Sequence, residues 1–523
     1  MHRLYKAVMV LLFLSYHSIA IAQPNIQWEK CMGDSLFDLA STILQTKDSG
    51  YIVVGYNNCN SGNVTGNHGG YDYWVVKLND TGKILWQKSL GGSLNDMGWI
   101  VQQTFDGGYI VSGITTSPDG DVTGYHAGTG FDYWLVKLSD TGSIQWEKCY
   151  GGSDDDNAGS IIQTADSGYI VVGYSYSTDG DVTGNHGNYD CWVLKLSDTG
   201  GIQWGKCYGG SNNDYGYGIQ QTIDGGYIFV GTTNSLDGDV TGLHGDYDYW
   251  VVKINDTGAI QWEKTYGGDG PESANQVQLT PDSGYIINGT SKTANNGDVT
   301  GNHGGYDYWV INISDTGALR WEQSYGGSGD DEAGTIHLTA DSGYIIDGYS
   351  NSIDGDITNN LGDYDYWAVK LSPSGSIQWQ MNLGGSAADL DQCMIQTLDG
   401  GYIAAGVSSS IDGEVTGNQG QGNFWIVKLY PDTINTGVAT LPASIQTLQI
   451  WPSPNNGTFT ILLPAPTTES IQILITDIIG QTIKETTATT NKNTPIQLDA
   501  PPGMYFVTTS SAQGKQTAKI VVK

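Results

Sequence analysis

Acidic and hydroxyl side chains recur at a regular spacing in one type of loop, and that spacing could bind a metal ion. In one copy, Asp179, Asp181, Thr183 and Asp190 stand at positions 1, 3, 5 and 12 of a twelve-residue segment, with Gly184 at position 6. Calcium takes about six to eight oxygen ligands, and twelve-residue calcium loops supply them at these positions around such a glycine. The spacing therefore predicts that the four oxygen-bearing residues are calcium ligands.

Three further loops keep most of this spacing. Asn296 replaces the acid at position 1 of one loop, and Asn359 replaces the glycine of another. The alternative is that Asp and Thr side chains close a long loop by local hydrogen bonds without any metal. Under the calcium hypothesis the ligands in these loops are Asp237, Asp239, Thr241, Asp248, Asp298, Thr300, Asp307, Asp354, Asp356, Thr358 and Asp365.

A histidine occupies one slot in five of the equivalent loops. A zinc site needs several His or Cys side chains that converge, whereas each loop supplies a single histidine, so zinc is not expected. We expect these residues to brace their loops by a hydrogen bond instead. They are His68, His126, His186, His244 and His303.

The loops belong to an internal repeat of 58 to 60 residues that occurs seven times in residues 26–430. Each copy contains four apolar segments, which we name a, b, c and d. Asp-Gly, Asp-Ser-Gly and Asp-Thr-Gly turns, which favour tight hairpins, join a to b and c to d. Each copy is therefore predicted to be a four-stranded antiparallel blade, and such blades pack radially in β-propellers of about four to eight. The sequence predicts an all-β, seven-bladed propeller over residues 23–430.

The repeat is out of phase with the chain, which predicts how the ring closes. The first segment, Ile26 to Cys31, is a d strand, and the seventh copy ends after its c strand, Phe424 to Tyr430. We expect the first segment to complete the last blade and so leave no open sheet edge. Because strands alternate in direction, all b–c and d–a loops lie on one face, which we call the loop face. Most of the clustered acids fall in those loops.

Charge and composition exclude one class of partner. The chain has 55 acidic and 22 basic residues, a formal charge of −33, and its only arginines are Arg3 and Arg320. Nucleic-acid backbones are bound by clustered basic side chains, so a nucleic-acid binder is excluded. With 32 Tyr and 16 Trp, the chain has ample apolar surface for a core.

The N-terminus predicts export. Arg3 and Lys6 precede an apolar stretch, and Ala20-Ile21-Ala22 is a small-residue cleavage site before Gln23. Residues 1–22 are therefore predicted to be a secretory signal peptide, because the apolar run is shorter than the roughly 20 residues that span a bilayer. The mature chain then has no transmembrane segment. Six cysteines allow 15 disulfide pairings, and we expect the three that share a repeat slot, Cys31, Cys149 and Cys207, to be small buried strand residues.

The C-terminus differs in composition and lacks the repeat. Residues 431–446 read as a linker, and residues 447–523 contain "LQIWPSPNNGTFTILLP", "ILITDIIGQTIKET", "PPGMYFVTTS" and "KQTAKIVVK". These motifs resemble the C-terminal sorting domain of type IX secretion substrates, with Trp451 in place of the usual Tyr or Phe. The resemblance implies a small β-sandwich that engages the type IX secretion machinery. It also implies a secreted, extracellular protein, attached to the outer-membrane surface if the sorting domain is removed.

The loops themselves resemble the Asp-rich calcium loops of integrin-type propeller repeats, but the resemblance ends there. Position 12 is Asp rather than Glu, and the Phe-Gly and Gly-Ala-Pro motifs of those repeats are missing. The c–d turn resembles the Asp-box of sialidases with its spacing off by one, and the mature chain has too few arginines for sialidase chemistry.

Three functions fit these patterns. We favour an exported binding or adhesion propeller, monomeric, that binds a glycan or a protein on its acidic loop face. A secreted polysaccharide-degrading glycoside hydrolase is the alternative, since such enzymes need only two carboxylates. A structural surface-layer component is the third. A catalytic pair should depart from the repeat. The acids that do so, Asp154 to Asp156, Glu272, Glu332 and Glu414, show no convergent set with a His or Tyr partner, so no catalytic residue is assigned and an enzyme is not expected.

Overall fold

β-Strands and loops make up the whole described part of the chain, without a helix. In a computed structural model, the described residues are 20–33, 35–126, 128, 130–418, 421–435, 448–452, 455–463, 468–477, 481–511 and 514–523. The predicted signal peptide lies outside them up to residue 19, as do residues 436–446 of the predicted linker. Ala20–Ala22 pairs antiparallel with Thr433–Asn435. No helix long and apolar enough to cross a membrane occurs in the described ranges.

Seven four-stranded antiparallel sheets follow one another through the repeat region. The a strands are Leu39–Gln45, Asp96–Gln103, Asp156–Gln163, Asp214–Gln221, Glu272–Leu279, Asp331–Leu338 and Asp389–Gln396. The b strands are Tyr51–Asn57, Tyr109–Thr115, Tyr169–Ser175, Tyr227–Thr233, Tyr285–Ser291, Tyr344–Ser350 and Tyr402–Ser408. We number the blades 1 to 7 in this order.

The outer half of each blade consists of the c and d strands. The c strands are Asp72–Leu78, Asp132–Leu138, Asp190–Leu196, Asp248–Ile254, Asp307–Ile313, Asp365–Leu371 and Asn423–Leu429. The d strands of blades 1 to 6 are Ile84–Leu90, Ile144–Tyr150, Ile202–Tyr208, Ile260–Tyr266, Leu319–Tyr325 and Ile377–Leu383. In blade 7 the d strand is Ile26–Met32, which pairs antiparallel with Asn423–Leu429.

The c strands are buried along their whole length, which explains their continuous apolar runs. Each blade is covered on both faces by its neighbours, so both sides of a central strand need apolar side chains. The c-strand tryptophans, such as Trp74 and Trp134, are fully buried, as expected for core residues. At the ring closure, Phe424 and Ile426 of blade 7 share one core with Ala40 and Val53 of blade 1. The predicted propeller fold and its closing strand are confirmed.

An ion pair on the face opposite the loop face recurs in six blades. In blade 4 the Lys253 ammonium lies 2.8 Å from a carboxylate oxygen of Asp224, which stands in the a–b turn. The lysine side chain is 5% exposed and the aspartate 52%, so the lysine stem is buried while its head reaches the turn. Blade 5 has Asn312 instead of lysine, and there Arg320 contacts Asp282 at 2.6 Å.

The six cysteines are free thiols in the described part of the chain, and Cys149, Cys191, Cys207 and Cys393 are buried. Burial raises the pKa of Cys31 to about 12, and thiols with raised pKa values are poor nucleophiles.

The chain divides into two compact units between Asn435 and Thr436. The C-terminal unit has a three-stranded sheet of Gln449–Trp451, Thr458–Leu462 and Thr494–Gln497. A four-stranded sheet has the order Thr482–Thr489, Ser470–Thr476, Gly503–Ser511 and Gly514–Val522. Phe459 and Ile496 of the first sheet share one core with Ile473 and Val507 of the second, as in a small β-sandwich.

Candidate functional site

The predicted calcium ligands all lie on the loop face, where each loop position makes its own contacts. The aspartates at position 1 accept hydrogen bonds from the d–a loop that leads into their own blade. The backbone N–H of Ser153 donates to Oδ1 of Asp179 at 2.8 Å. Ser211 donates to Asp237 at 2.7 Å and Ser328 to Asp354 at 2.7 Å. Position 1 therefore ties the long loop to the short one.

The acids at position 3 face the preceding blade. Oδ2 of Asp239 accepts from the backbone N–H of Gly209 at 3.4 Å, and Asp298 and Asp356 make the same contact in their blades at 3.3 and 3.2 Å. Asp181 lies 3.9 Å from Nε2 of His126, which belongs to the preceding loop.

The threonines at position 5 reach outward to the d strand. Oγ1 of Thr241 donates to Glu263 and that of Thr300 to Glu322, while Thr358 accepts from the amide of Gln380. The same glutamates accept from the buried c-strand indoles, as when Trp309 Nε1 donates to Glu322 at 2.9 Å. Blade 3 has Gly205 at the glutamate position, and Thr183 is exposed there.

The aspartates at position 12 are fully buried and turn toward the following blade. Oδ2 of Asp190 accepts from the backbone N–H of His186 at 2.9 Å and lies 2.6 Å from its Nδ1. The equivalent Nδ1–Oδ2 distances are 2.7 Å in blades 1, 4 and 5 and 2.8 Å in blade 2. The predicted bracing role of the histidines is confirmed.

A second buried acid, at the start of each a strand, faces this site from the following blade. A Cβ on Gly151 would lie 2.9 Å from Oδ1 of Asp132 and 2.5 Å from Oδ2 of Asp156, so both carboxylates border the same glycine. We call each such place a blade junction. Asp156 also accepts from the N–H of Gly152 and the hydroxyl of Ser177. The facing acids are Asp38, Asp96, Asp156, Asp214, Glu272, Asp331 and Asp389.

Burial of paired carboxylates disfavours their charged forms. Burial raises the pKa of Asp190 and of Asp307 to about 6, although the nearby histidine opposes the shift in each case. It raises the pKa of Asp156 to about 7, and the Asp132 carboxylate contributes to that rise. Two like charges in a low-dielectric site cannot both ionise freely.

The structure thus divides the ligands of each predicted loop between two blade junctions. Positions 1 and 3 lie against the preceding junction, whereas position 12 belongs to the next. Within the described ranges, no group of three or more His, Cys, Asp or Glu side chains is placed to hold a metal ion. Calcium binding by these residues stays a prediction.

A cleft lined by tyrosines breaks the sevenfold pattern on the loop face. It is a cavity of about 210 Å³ between blades 4 and 5. We call it the tyrosine cleft. It is lined by Tyr215, Tyr217, Thr232, Tyr247, Pro271, Glu272, Ser273 and Tyr306.

Further rings extend the cleft toward blade 3. Tyr215 contacts Tyr174 with ring centroids 4.9 Å apart and Tyr189 at 5.6 Å, and it stacks on Tyr217 at 6.3 Å. Polar groups border the rings, since Tyr189 donates to Asp155 at 3.1 Å and Asn213 donates to the Tyr247 hydroxyl at 3.3 Å. The result is an aromatic surface with hydrogen-bonding edges.

Sequence reasoning missed this cleft because its lining comes from two blades, whose packing brings the residues together. Tyr215 and Tyr217 stand at the second and fourth positions of an a strand, where blade 3 has Asn157 and Gly159. The usable signal was this pair of tyrosines, because no other blade has Tyr at either position. The facing acids of the blade junctions were visible in the repeat, but their pairing with position 12 needed the ring geometry.

Comparison with known families identifies the C-terminal segment. Residues 449–523 match the family model described as a secretion system C-terminal sorting domain. This confirms the resemblance to type IX sorting domains and marks the protein as secreted. Of the residues that carry the resemblance, Pro454 and Gly480 lie outside the described ranges.

Part of the chain is similar to part of a longer protein. "Regulatory protein FlaEY" of Caulobacter vibrioides is 23% identical over 352 residues, which cover 60% of this chain and 36% of that protein. The chain therefore matches about a third of the length of this relative.

Solved structures with detectable similarity are distant. Sqt1 from Chaetomium thermophilum is 10% identical with a TM-score of 0.42, and the match covers 79% of this chain and all of that one. A puromycin hydrolase mutant is 9% identical with a TM-score of 0.42, covering 83% and 58%. An apocarotenoid oxygenase mutant from Synechocystis is 11% identical with a TM-score of 0.30, covering 79% and 95%.

Proposed function

We propose that this secreted protein is a binding propeller that holds a glycan in the tyrosine cleft. The observation that carries the proposal is the cleft itself, a concave aromatic surface in which Tyr215 and Tyr217 are particular to blade 4, whereas Tyr247 and Tyr306 occupy a slot that is Tyr in five blades. Because the six other blades close without tyrosines at the positions of Tyr215 and Tyr217, the fold does not require this pair. Export by a sorting domain places the cleft where extracellular glycans occur.

The chemistry of the cleft suits a sugar ring. Tyrosine faces offer flat apolar surface while their hydroxyls and the neighbouring amide and carboxylate can hydrogen-bond. Ligand pockets typically combine apolar walls with a few placed polar groups. The chain's formal charge of −33 disfavours anionic polymers, so the ligand class that fits is a neutral or basic polysaccharide. Retention on the cell surface after export would make such binding adhesive.

Binding can be tested with a matched pair of variants. Tyr247, Tyr306 and Tyr364 occupy the same repeat position, directly before the position-12 aspartate, but only the first two line the cleft. Purified full-length protein is assayed against immobilised neutral and basic polysaccharides. We expect Tyr247→Ala and Tyr306→Ala each to weaken binding at least about tenfold, as loss of a stacked ring does, while Tyr364→Ala retains it. Equal loss in all three variants, or no binding by any, would count against a glycan site in the cleft.

We propose calcium binding at the blade junctions as a second function. It is supported by buried oxygens: Oδ1 of the position-12 aspartate has no hydrogen-bond partner among the described residues in five junctions, those of Asp72, Asp190, Asp248, Asp307 and Asp365. A cation drawn between blades would satisfy these oxygens and offset the charge of the loop face.

Thermal unfolding in EDTA and in millimolar calcium tests this second proposal. Ligand binding to the folded state raises the midpoint, so we expect a calcium-dependent rise that Asp190→Asn and Asp248→Asn reduce. An unfolding midpoint that does not respond to calcium would contradict this second proposal. The carboxylates would then have only the structural contacts described above.

A further inference from the structure

One blade interface contains a carboxylate pair at two positions where no other blade has an acid. Across the interface between two blades, the fourth residue of the b strand in one blade opposes the third residue of the a strand in the following blade. Val54 opposes Gly98 in this way, with Cγ2 of Val54 3.0 Å from where a glycine Cβ would lie, and Val172 opposes Gly216. Between blades 6 and 7 these two positions are Asp347 and Asp391.

Both side chains are fully buried, at 0% exposure. Oδ1 of Asp347 accepts from the backbone N–H of Thr335 at 3.2 Å and from its hydroxyl. Oδ1 of Asp391 accepts from the N–H of Cys393 at 3.3 Å. Oδ2 of each aspartate has no hydrogen-bond partner in the described part of the chain. None of the ion pairs found among those residues involves either carboxylate.

Two backbone carbonyl oxygens lie near the Asp347 carboxylate, around Gly334. A Cβ on Gly334 would be 2.9 Å from Oδ2 of Asp347, 3.2 Å from the carbonyl oxygen of Gln392 and 3.5 Å from the carbonyl oxygen of Asp347. The equivalent residue is Trp99 in blade 2 and Tyr217 in blade 4. Three oxygen atoms, one of them a carboxylate oxygen of the pair, therefore surround the Gly334 position, where those blades carry a side chain.

We propose that Asp347 and Asp391 form a site for a divalent, oxygen-preferring cation such as calcium between blades 6 and 7. Two carboxylates match the charge of one such ion, and carbonyl oxygens beside them are ligands that calcium accepts. Burying two unpaired carboxylates is costly, whereas a bound cation offsets that cost. The site lies on inner strands, apart from the loop residues of the blade junctions.

The test uses the full-length protein with calcium as the probe. Asp347→Asn/Asp391→Asn keeps the shape of both side chains, and Asp347→Val/Asp391→Ala installs residues found at these positions in other blades. Asp140→Asn, which removes an exposed acid from a c–d turn and leaves both the pair and the blade junctions intact, is the matched control. Calcium content after dialysis is measured by mass spectrometry, and unfolding midpoints are measured in EDTA and in 1 mM calcium, about the concentration of extracellular sites.

We expect both double variants to hold about one calcium ion fewer per chain than the wild type and the Asp140→Asn control. We also expect the calcium-dependent rise in midpoint to shrink in both double variants. Equal calcium content and an equal midpoint response in wild type and double variants would overturn the proposal. So would a wild type that binds no calcium, in which case the pair is accommodated by protonation.

Discussion

At the scale of single residues, the position-12 aspartates show how a loop residue becomes a core residue. Asp365 is buried at the junction of blades 6 and 7, and Leu361 replaces the histidine that braces the other loops. Burial raises the pKa of Asp365 to about 7, and the carboxylates of Asp389 and Glu414 add to the rise. In the seventh blade the slot holds Asn423, whose amide donates to Asp38 at 3.3 Å. The repeat therefore contains its own neutral version of this site.

Asp365→Asn should stabilise the protein at alkaline pH. A carboxyl whose pKa is higher when folded contributes stability below its unfolded pKa and loses it as pH rises through the folded value. The wild type thus loses stability between about pH 4 and about pH 7 through this residue, and the variant does not. In EDTA, we expect the variant to gain roughly 1–3 kcal/mol in unfolding free energy at pH 8 and less at pH 5.

The control for this prediction is Asp399→Asn. Partial burial would raise the pKa of Asp399, but hydrogen bonds from Thr397, Gly401 and Lys428 lower it on balance. Stability from such a carboxylate is present above its unfolded pKa, so Asp399→Asn should destabilise at pH 8. The idea fails if Asp365→Asn shows the same change in unfolding midpoint at both pH values.

At the scale of elements, blade 5 shows how one strand compensates for another. In blade 4, Lys253 binds both Asp224 in the a–b turn and Gln261 on the d strand. Blade 5 has Asn312 and Arg320 at the lysine and glutamine positions, so the cation comes from the d strand and still reaches the turn. The guanidinium lies 3.5 Å from Oδ1 of Asn312.

Arg320→Gln should destabilise the protein, and Asn312→Lys should restore it. The single variant leaves Asp282 without its cation, and such a partly exposed pair is worth about 1 kcal/mol or less. The double variant recreates the arrangement of blade 4, so its unfolding midpoint should return close to that of the wild type. A double variant that is no more stable than Arg320→Gln would show that the two strands do not substitute for each other.

The strands and turns were predictable because each blade repeats the same strand and turn motifs. Trp74 and its equivalents alternate with apolar residues, and turns such as Asp140-Thr141-Gly142 mark the hairpins, so strand order and ring closure followed from the period alone. The tyrosine cleft and the Asp347–Asp391 pair were not predictable in this way. Each joins residues of different blades, and their proximity depends on how neighbouring blades pack.

At the scale of the whole molecule, stability depends on a strand that closes the ring from the other end of the repeat. Ile26–Met32 pairs along Asn423–Leu429, and Trp28 packs on Tyr51 of blade 1 with ring centroids 6.1 Å apart. Glu29 also accepts from the Trp425 indole at 3.1 Å. Without this strand, blade 7 would expose an unpaired edge and part of its core.

Deleting residues 23–32 should therefore lower the unfolding midpoint of the whole propeller rather than loosen one blade. The control is removal of residues 447–523, which lie in the separate C-terminal unit and whose loss should leave the propeller midpoint unchanged. A permuted chain that carries residues 26–32 after residue 430, joined by a short glycine-containing turn like those of the other c–d hairpins, supplies the strand from the opposite terminus. It should recover most of the lost stability, because the ladder and the buried surface are the same while only the connection differs. Unfolding is followed by circular dichroism, and a deletion with an unchanged midpoint would mean that six complete blades and one three-stranded blade hold the ring by themselves.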